Sequence, residues 1–388
     1  MNVRWNSRVS CKKYICLFFV YAMPLKGRID LRSDTFTEPT PEMRHAMATC
    51  EVGDDVWELD PTVKELESLA ASILGKEASL FVPSSVMANL IAVMAHTSGR
   101  GEEIIVGDRS HISLYEQGNV STIGGVHVRT VRNFDNGTFD MKELSLKIRP
   151  KNNVHYPTTT LVCLESTHNM CSGSAIPLSF ITDVRNTIGD EIKLHIDGAR
   201  LFNATTALGV TPSEYVQVAD SVNVCLSKGL AAPIGAILAG SRDFIQKSRM
   251  LRKALGGGMR QAGVIACTGI IALRDMIGRL SDDHQNAALL YKLLADVPGV
   301  VVGLPQTNIV KFAFDVHVLG EVNLSGFVKA MEALNVFMIT VDEGRSIRAV
   351  THLHITKEDI EETAHVVRSL VQRIVEGTLS ISAEAHVY

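Results

Sequence analysis

The chain has 388 residues, 46% hydrophobic and 21% charged, enough for two folded domains with solvated surfaces and unlike a disordered or repeat protein. Its formal net charge of -4, with no basic run inside the body, gives no long-range attraction for nucleic acid and favours a small-molecule substrate. The seven cysteines are an odd set without a CxxC pair, which argues against a disulfide framework or a zinc site and for a reducing compartment.

The first 28 residues carry Arg4, Arg8, Lys12, Lys13, Lys26 and Arg28 with no acidic residue among them. The apolar run Tyr14 to Met23 is too short to span a bilayer, so residues 1–28 read as an unstructured extension, with a weak targeting signal as the alternative and Met23 as a candidate internal start. Cytosol is the expected compartment, mitochondrion the alternative, and no membrane partner is expected.

Asp60-Pro61-Thr62 predicts a capped helix followed by Val63, Leu66, Leu69, Ala70 and Ile73 on one face. Ser79 to Val82 reads as a strand feeding, through Ser84-Ser85, a second apolar-faced helix, and such a helix N-terminus is a potential phosphate site. Short apolar runs at Glu103–Val106, Val126–Val131, Leu161–Leu164, Lys193–Ile196, Ser221–Leu226 and Gly235–Ala239 alternate with helical or polar stretches, predicting an α/β sheet. Near Ser281 the pattern changes to a helix over Asp282–Leu294, strands at Ile309–Phe314 and Ser346–Val350, and a capping box at Thr356–Asp359 before a last helix. The expected division is a large domain over 29–280 and a smaller α+β domain over 281–388.

Candidate chemical residues fall just beyond the apolar runs, where ligands of open α/β sheets gather: Asp108 and His111, Glu165 and His168, Asp197 and Arg200, and Lys228. Lys228, in Cys225-Leu226-Ser227-Lys228-Gly229-Leu230, is by itself as compatible with a surface lysine as with a catalytic one. Asp197, in His195-Ile196-Asp197-Gly198-Ala199-Arg200, reads as a turn or cap aspartate or as a partner for a protonated ring nitrogen. His352 and His354 share a strand face without a third ligand, so no metal is expected.

Taken in order, several segments resemble the threonine aldolases, pyridoxal-phosphate enzymes of the aspartate-aminotransferase-like fold type I. They are Ile29 to Thr35, Val52 to Val56, Thr167-His168-Asn169, His195 to Arg200, Cys225 to Leu230, Gly256 to Gln261 and Arg348 to His352. The resemblance implies a mostly parallel large-domain sheet, pyridoxal 5'-phosphate, and retro-aldol cleavage of threonine or allo-threonine to glycine and acetaldehyde by a homodimer or homotetramer. By position, Lys228 would carry the cofactor as a Schiff base, Asp197 would face its ring nitrogen and His111 would stack on its ring. Ser85, Val86, Arg200 and Arg260 would complete its binding. Ser33, Arg200 and Arg348 would hold the substrate carboxylate, with His168 beside the β-hydroxyl. Lys228, His111 and His168 would be catalytic.

Three stretches depart from the family pattern. Ser85-Val86 stands where Gly-Thr is usual, Trp57-Glu58-Leu59-Asp60 where Tyr-Gly and two acids are common, and Met170 to Gly173 where more glycine is expected. A β-eliminating pyridoxal-phosphate lyase and a non-catalytic cofactor-binding homologue are therefore the rival readings.

Overall fold

A computed structural model describes residues 27–379 and 381. Most of the extension expected over 1–28 lies outside the described residues. Among the described residues thirteen strands occur in chain order: β1 (Ile29–Asp30), β2 (Ala78–Val82), β3 (Glu102–Gly107), β4 (His127–Val131), β5 (Thr158–Glu165), β6 (Lys193–Gly198), β7 (Ser221–Cys225), β8 (Ala236–Gly240), β9 (Val300–Val302), β10 (Ile309–Phe314), β11 (Val336–Phe337), β12 (Ile339–Val341) and β13 (Ser346–Val350).

Seven of them form one sheet in the order β2-β8-β7-β6-β5-β3-β4. β4, β3, β5, β6 and β7 run parallel, whereas β8 is antiparallel to both β2 and β7. Its central strands are buried on both faces, which explains why they read as unbroken apolar runs rather than alternating ones. This is the α/β, fold type I architecture that the sequence implies, with β8 the exception to a parallel sheet. Periodicity carries no strand direction, so that exception had no signal.

Local sequence fixes the helices that pack on this sheet. Asp60 caps Pro61–Leu74 through hydrogen bonds from Thr62 and Val63, and Gly75 closes it in a left-handed conformation. Val63, Leu66, Ala70 and Leu74 of this helix are buried, the leucines and valine each worth about 1.5–3 kcal/mol relative to exposure. Ser84 caps the helix Ser85–His96 by accepting from Met87 N.

A second core lies under the antiparallel sheet β12-β13-β10-β9, covered by the helices Leu280–Ala295 and Lys357–Val375. The Thr356–Asp359 capping box is present at the start of the last helix. β1 pairs in parallel with β11, Ile29 opposite Val336, so Leu31, near the start of the described residues, is buried in this second core.

Glu58, where the resembled sequences carry glycine, sits at φ 55° in the left-handed region. A side chain there costs roughly 1–2 kcal/mol relative to a right-handed conformation, partly offset by the greater freedom glycine has when unfolded. The variant Glu58→Gly is therefore expected to raise unfolding stability by up to about 1 kcal/mol, as measured by denaturant titration.

Candidate active site

Parallel strands bring chemically useful residues to one edge. The register sets Glu165 beside Asp197 and Asp197 beside Asn223, one row across β5, β6 and β7 at their carboxyl ends. The following loops carry Arg200 and Lys228, and a cavity of about 1440 Å³ opens above them. Its wall includes Ser33, Ser85, His111, Asp197, Arg200, Lys228 and Arg348.

Asp197 is 2% exposed. Its Oδ2 accepts from Asn89 Nδ2 at 2.8 Å, and its Oδ1 from Asn223 Nδ2 at 3.2 Å and Ala199 N at 3.1 Å. Among the described residues no lysine or arginine pairs with it. A buried carboxylate supplied with neutral donors but no cation is suited to receive one, such as a protonated ring nitrogen.

His111 donates its backbone N–H to Glu165 Oε2 at 2.6 Å, and its Nδ1 lies 2.9 Å from Glu116 Oε1. Burial disfavours the charged ring, but the Glu116 hydrogen bond and the charges of Asp197, Glu116 and Glu165 outweigh it and raise the imidazole pKa. Burial raises the Glu116 carboxyl, partly countered by His111.

The loop of Lys228 is pinned from both sides: its carbonyl accepts from Thr37 Oγ1 at 2.8 Å and from Ala231 N at 2.8 Å. A fixed backbone leaves the side chain as the movable part, as covalent attachment to a ligand requires. Ser85 Oγ accepts from Asn223 Nδ2 at 2.5 Å, which ties the helix start to β7.

Arg200 makes a bidentate pair with Asp34, Nε and Nη2 each 2.7 Å from a carboxylate oxygen. Burial opposes the Asp34 charge, but Arg200, with Lys228 beyond it, holds its carboxyl well below the usual carboxylate range. Arg200 Nη1 and Arg348 Nη1 both donate to Asn169 Oδ1, at 3.4 and 2.9 Å. Arg348 Nε is buried without a partner, and burial followed by repulsion from Arg200 pushes this guanidinium down to about 10. Arg200 is already matched by Asp34, so Arg348, with Nε unpartnered and Nη1 on a neutral amide oxygen, lacks a carboxylate partner among the described residues and is suited to receive one.

Three expected residues are not brought to the cavity wall. His168 is 1% exposed, its β-carbon packed over Gly137, and neither ring nitrogen has a hydrogen-bond partner. Val86 projects from the exposed side of its helix start. Arg260 turns outward to pair with Asp54 at 2.9 Å, its side chain 56% exposed. Conversely, Asn89, Asn223, Glu116 and Asp34 were not singled out. Asn223 had a readable signal as an amide inside the apolar run of β7, and Asn89 as one inside an apolar helix.

The donor set fits pyridoxal phosphate: Lys228 for attachment, buried Asp197 for the ring nitrogen, His111 on the wall, and a serine-capped helix N-terminus for phosphate. A site of this kind at the carboxyl edge of this sheet defines a pyridoxal-phosphate-dependent enzyme of fold type I. The β-eliminating lyase family model matches residues 30–316. A probable low-specificity L-threonine aldolase of Arabidopsis thaliana is 45% identical over 86% of this chain and 94% of its own length. The low specificity L-threonine aldolase of Escherichia coli K12 is 39% identical over 89% of this chain and 100% of its own. The threonine aldolase structure of Leishmania major superimposes with a TM-score of 0.75 at 18% identity, covering 88% of this chain and 99% of that one, a likeness of fold. The chain belongs to the threonine aldolases, within the β-eliminating lyase family.

Proposed function

We propose that this protein cleaves L-threonine and L-allo-threonine to glycine and acetaldehyde, and that the cavity residues divide the work as follows. The observation that carries the reading is one cavity holding a pinned lysine, a buried carboxylate without a cation, and two arginines converging on Asn169 Oδ1. When bound, pyridoxal phosphate supplies an electron sink for the pair released as the substrate Cα–Cβ bond breaks.

Lys228 Nζ would hold the cofactor covalently and, as a free amine while substrate is bound, would hold and return a proton. Asp197 supplies the fixed negative charge that keeps the ring nitrogen protonated. The Ser85 hydroxyl and the free amides of the helix start receive the phosphate, with Val86 adding only its backbone N–H. Arg348 and Arg200 take the substrate carboxylate, assisted by Ser33, so that the Cα–Cβ bond is held in one orientation. His111, steadied through Nδ1 by Glu116, is the titratable ring on the wall and moves the β-hydroxyl proton. His168, behind the wall, is assigned to ordering the Thr167–Asn169 turn that presents the Asn169 amide.

The fork of Arg348 matters more than its charge, since lysine cannot reproduce its two-point donation. Arg348→Lys is expected to raise KM for threonine about tenfold with kcat within about threefold, the pattern of lost uniform binding in steady-state kinetics.

A homo-oligomer completes the proposal. Trp57, Leu59, Met250 and Val264 are exposed apolar side chains, and Arg260, exposed and paired with Asp54 in this chain, would exchange that partner for a second copy's phosphate site. The division at about residue 280 is supported by two cores, one drawn from residues 43–280 and the other from residues 287–371 together with Leu31. Among the described residues no helix is long and apolar enough to cross a membrane. The five described cysteines are free, which supports a reducing compartment, placed here as the cytosol.

Product analysis tests the activity. Purified protein with pyridoxal phosphate is incubated with threonine, allo-threonine and serine. Glycine with acetaldehyde from the first two supports the proposal; 2-oxobutanoate with ammonia from threonine identifies an eliminating enzyme, and no product a non-catalytic homologue.

A further inference from the structure

Helix–sheet interfaces are normally apolar, yet the helix Ser85–His96 lays a polar line onto the sheet. Asn89 and His96 are seven residues apart and so share a helix face, roughly 10 Å from one another along the axis. Opposite them, His195 and Asp197 share one face of β6, and Ser221 and Asn223 the matching face of β7, in register His195 with Ser221 and Asp197 with Asn223. Asn89, His195, Ser221, Asn223 and Asp197 are all buried.

The contacts are continuous. His96 Nε2 lies 2.7 Å from Ser221 Oγ, which lies 2.8 Å from His195 Nδ1. His195 Nε2 lies 3.2 Å from Asn89 Oδ1, and Asn89 Nδ2 donates to Asp197 Oδ2 at 2.8 Å. The far end opens beside a second cavity of about 600 Å³, walled by His96, Lys193 and Lys247 among others. There the His96 ring is stacked on Phe244, centroids 4.4 Å apart.

Chemistry fixes the direction of each bond. Asn89 Nδ2 faces two carboxylates, Asp197 and Glu116, the latter also at 2.8 Å, so this atom is the nitrogen and the oxygen faces His195. An amide oxygen only accepts, so His195 carries its proton on Nε2. Burial depresses His195 to about 4 and His96 to about 3, so both rings are neutral near pH 7. His195 Nδ1 then accepts from the Ser221 hydroxyl, which in turn accepts from His96 Nε2–H. Every donor points toward Asp197.

We propose that His195, Ser221 and His96 are positioning residues that act through Asn89: a one-way chain of hydrogen bonds locks the Asn89 amide and thereby holds the Asp197 carboxylate aimed at the cofactor ring nitrogen. The amide link does not pass protons, so the chain orients and polarises rather than conducting. It shares the Asn89 oxygen with Asn223, whose Nδ2 lies 3.2 Å away and also reaches Asp197 Oδ1, so the clamp on the carboxylate has two arms. Only the Asn89 arm is oriented from outside the site.

The inference rests on the assignment of Asp197 to the ring nitrogen, and its test separates the two. Holoenzyme variants His195→Leu, His195→Gln and Ser221→Ala are compared with Asp197→Asn by the dissociation constant of pyridoxal phosphate, the visible absorption spectrum of the bound cofactor, kcat and KM. Glutamine keeps a donor near Asn89 Oδ1 and leucine does not. His195→Leu is expected to weaken cofactor binding and lower kcat about tenfold each, to shift the cofactor absorption in the same direction as Asp197→Asn, and to leave KM nearly unchanged. His195→Gln is expected within about threefold of the parent, and Ser221→Ala between the two. Should His195→Leu not fold, Ser221→Ala against His195→Gln carries the comparison. Wild-type spectra and cofactor affinity in folded His195→Leu and Ser221→Ala, or equal losses in the leucine and glutamine variants, overturn the inference while Asp197→Asn still shows its effect. A silent Asp197→Asn overturns instead the assignment on which it rests.

Discussion

Replacing Lys228 with alanine is expected to lower threonine cleavage by on the order of 10⁴-fold or more and to remove the covalent cofactor signal, while the fold survives. The size of the effect follows from two roles in one side chain: the amine is the attachment point and also the group that returns a proton to the product. The fold should survive because the interactions that pin this loop use the Lys228 carbonyl, which alanine retains, and because the flanking Leu226 and Leu230 stay buried. Circular dichroism and thermal unfolding check the second half of the expectation, absorbance spectra and product formation the first. A small primary amine added to the variant should restore a fraction of turnover, because the missing function is a free amine in a cavity that keeps its shape.

The second large effect is at Asp197. Asparagine is nearly isosteric and leaves the hydrogen bonds from Ala199 N and one amide arm possible, but it removes the carboxylate charge that the proposal assigns to the ring nitrogen. Breaking a buried, hydrogen-bonded ion pair of this kind costs about 3–5 kcal/mol, which at the transition state corresponds to roughly 10²–10³-fold or somewhat more in kcat. Asp197→Asn is thus expected to bind threonine with little change in KM and to turn it over about 10³-fold more slowly. The contrast with Arg348→Lys, which should move KM and spare kcat, separates the carboxylate that would keep the ring nitrogen protonated from the cations that would seat the substrate.

Much of this site was legible because its parts end strands. Lys228 and Asp197 each follow an apolar run and precede a glycine, and the parallel strands β6 and β7 deliver both to the same edge. The capped starts of the helices Pro61–Leu74 and Lys357–Val375 were legible for a similar reason, since caps are local. What depends on how distant surfaces meet was not. The burial of His168 requires Gly137 to pass beneath it, and the outward turn of Arg260 requires Asp54 to be near. The antiparallel direction of β8 and the pairing of β1 with β11 leave no periodic trace. Asn89 looks like a polar flaw in an apolar helix until β6 and β7 are laid against it; then it is the residue that holds Asp197.

Substitution at Ser85-Val86 bears on how firmly the cofactor is held rather than on whether it can attach. Ser84 caps the helix, Ser85 lines the cavity, and Val86 lies outside its lining, so in the proposed assignment the backbone amides would be the principal phosphate ligands. The proposal places the chemistry of attachment in one lysine, and that can be read directly. Purified holoenzyme is reduced with borohydride, digested and mapped by mass spectrometry. The account predicts a single phosphopyridoxyl adduct on the peptide carrying Ser227-Lys228-Gly229, lost in Lys228→Ala; an adduct on another lysine, or none in a protein loaded with the cofactor, contradicts it.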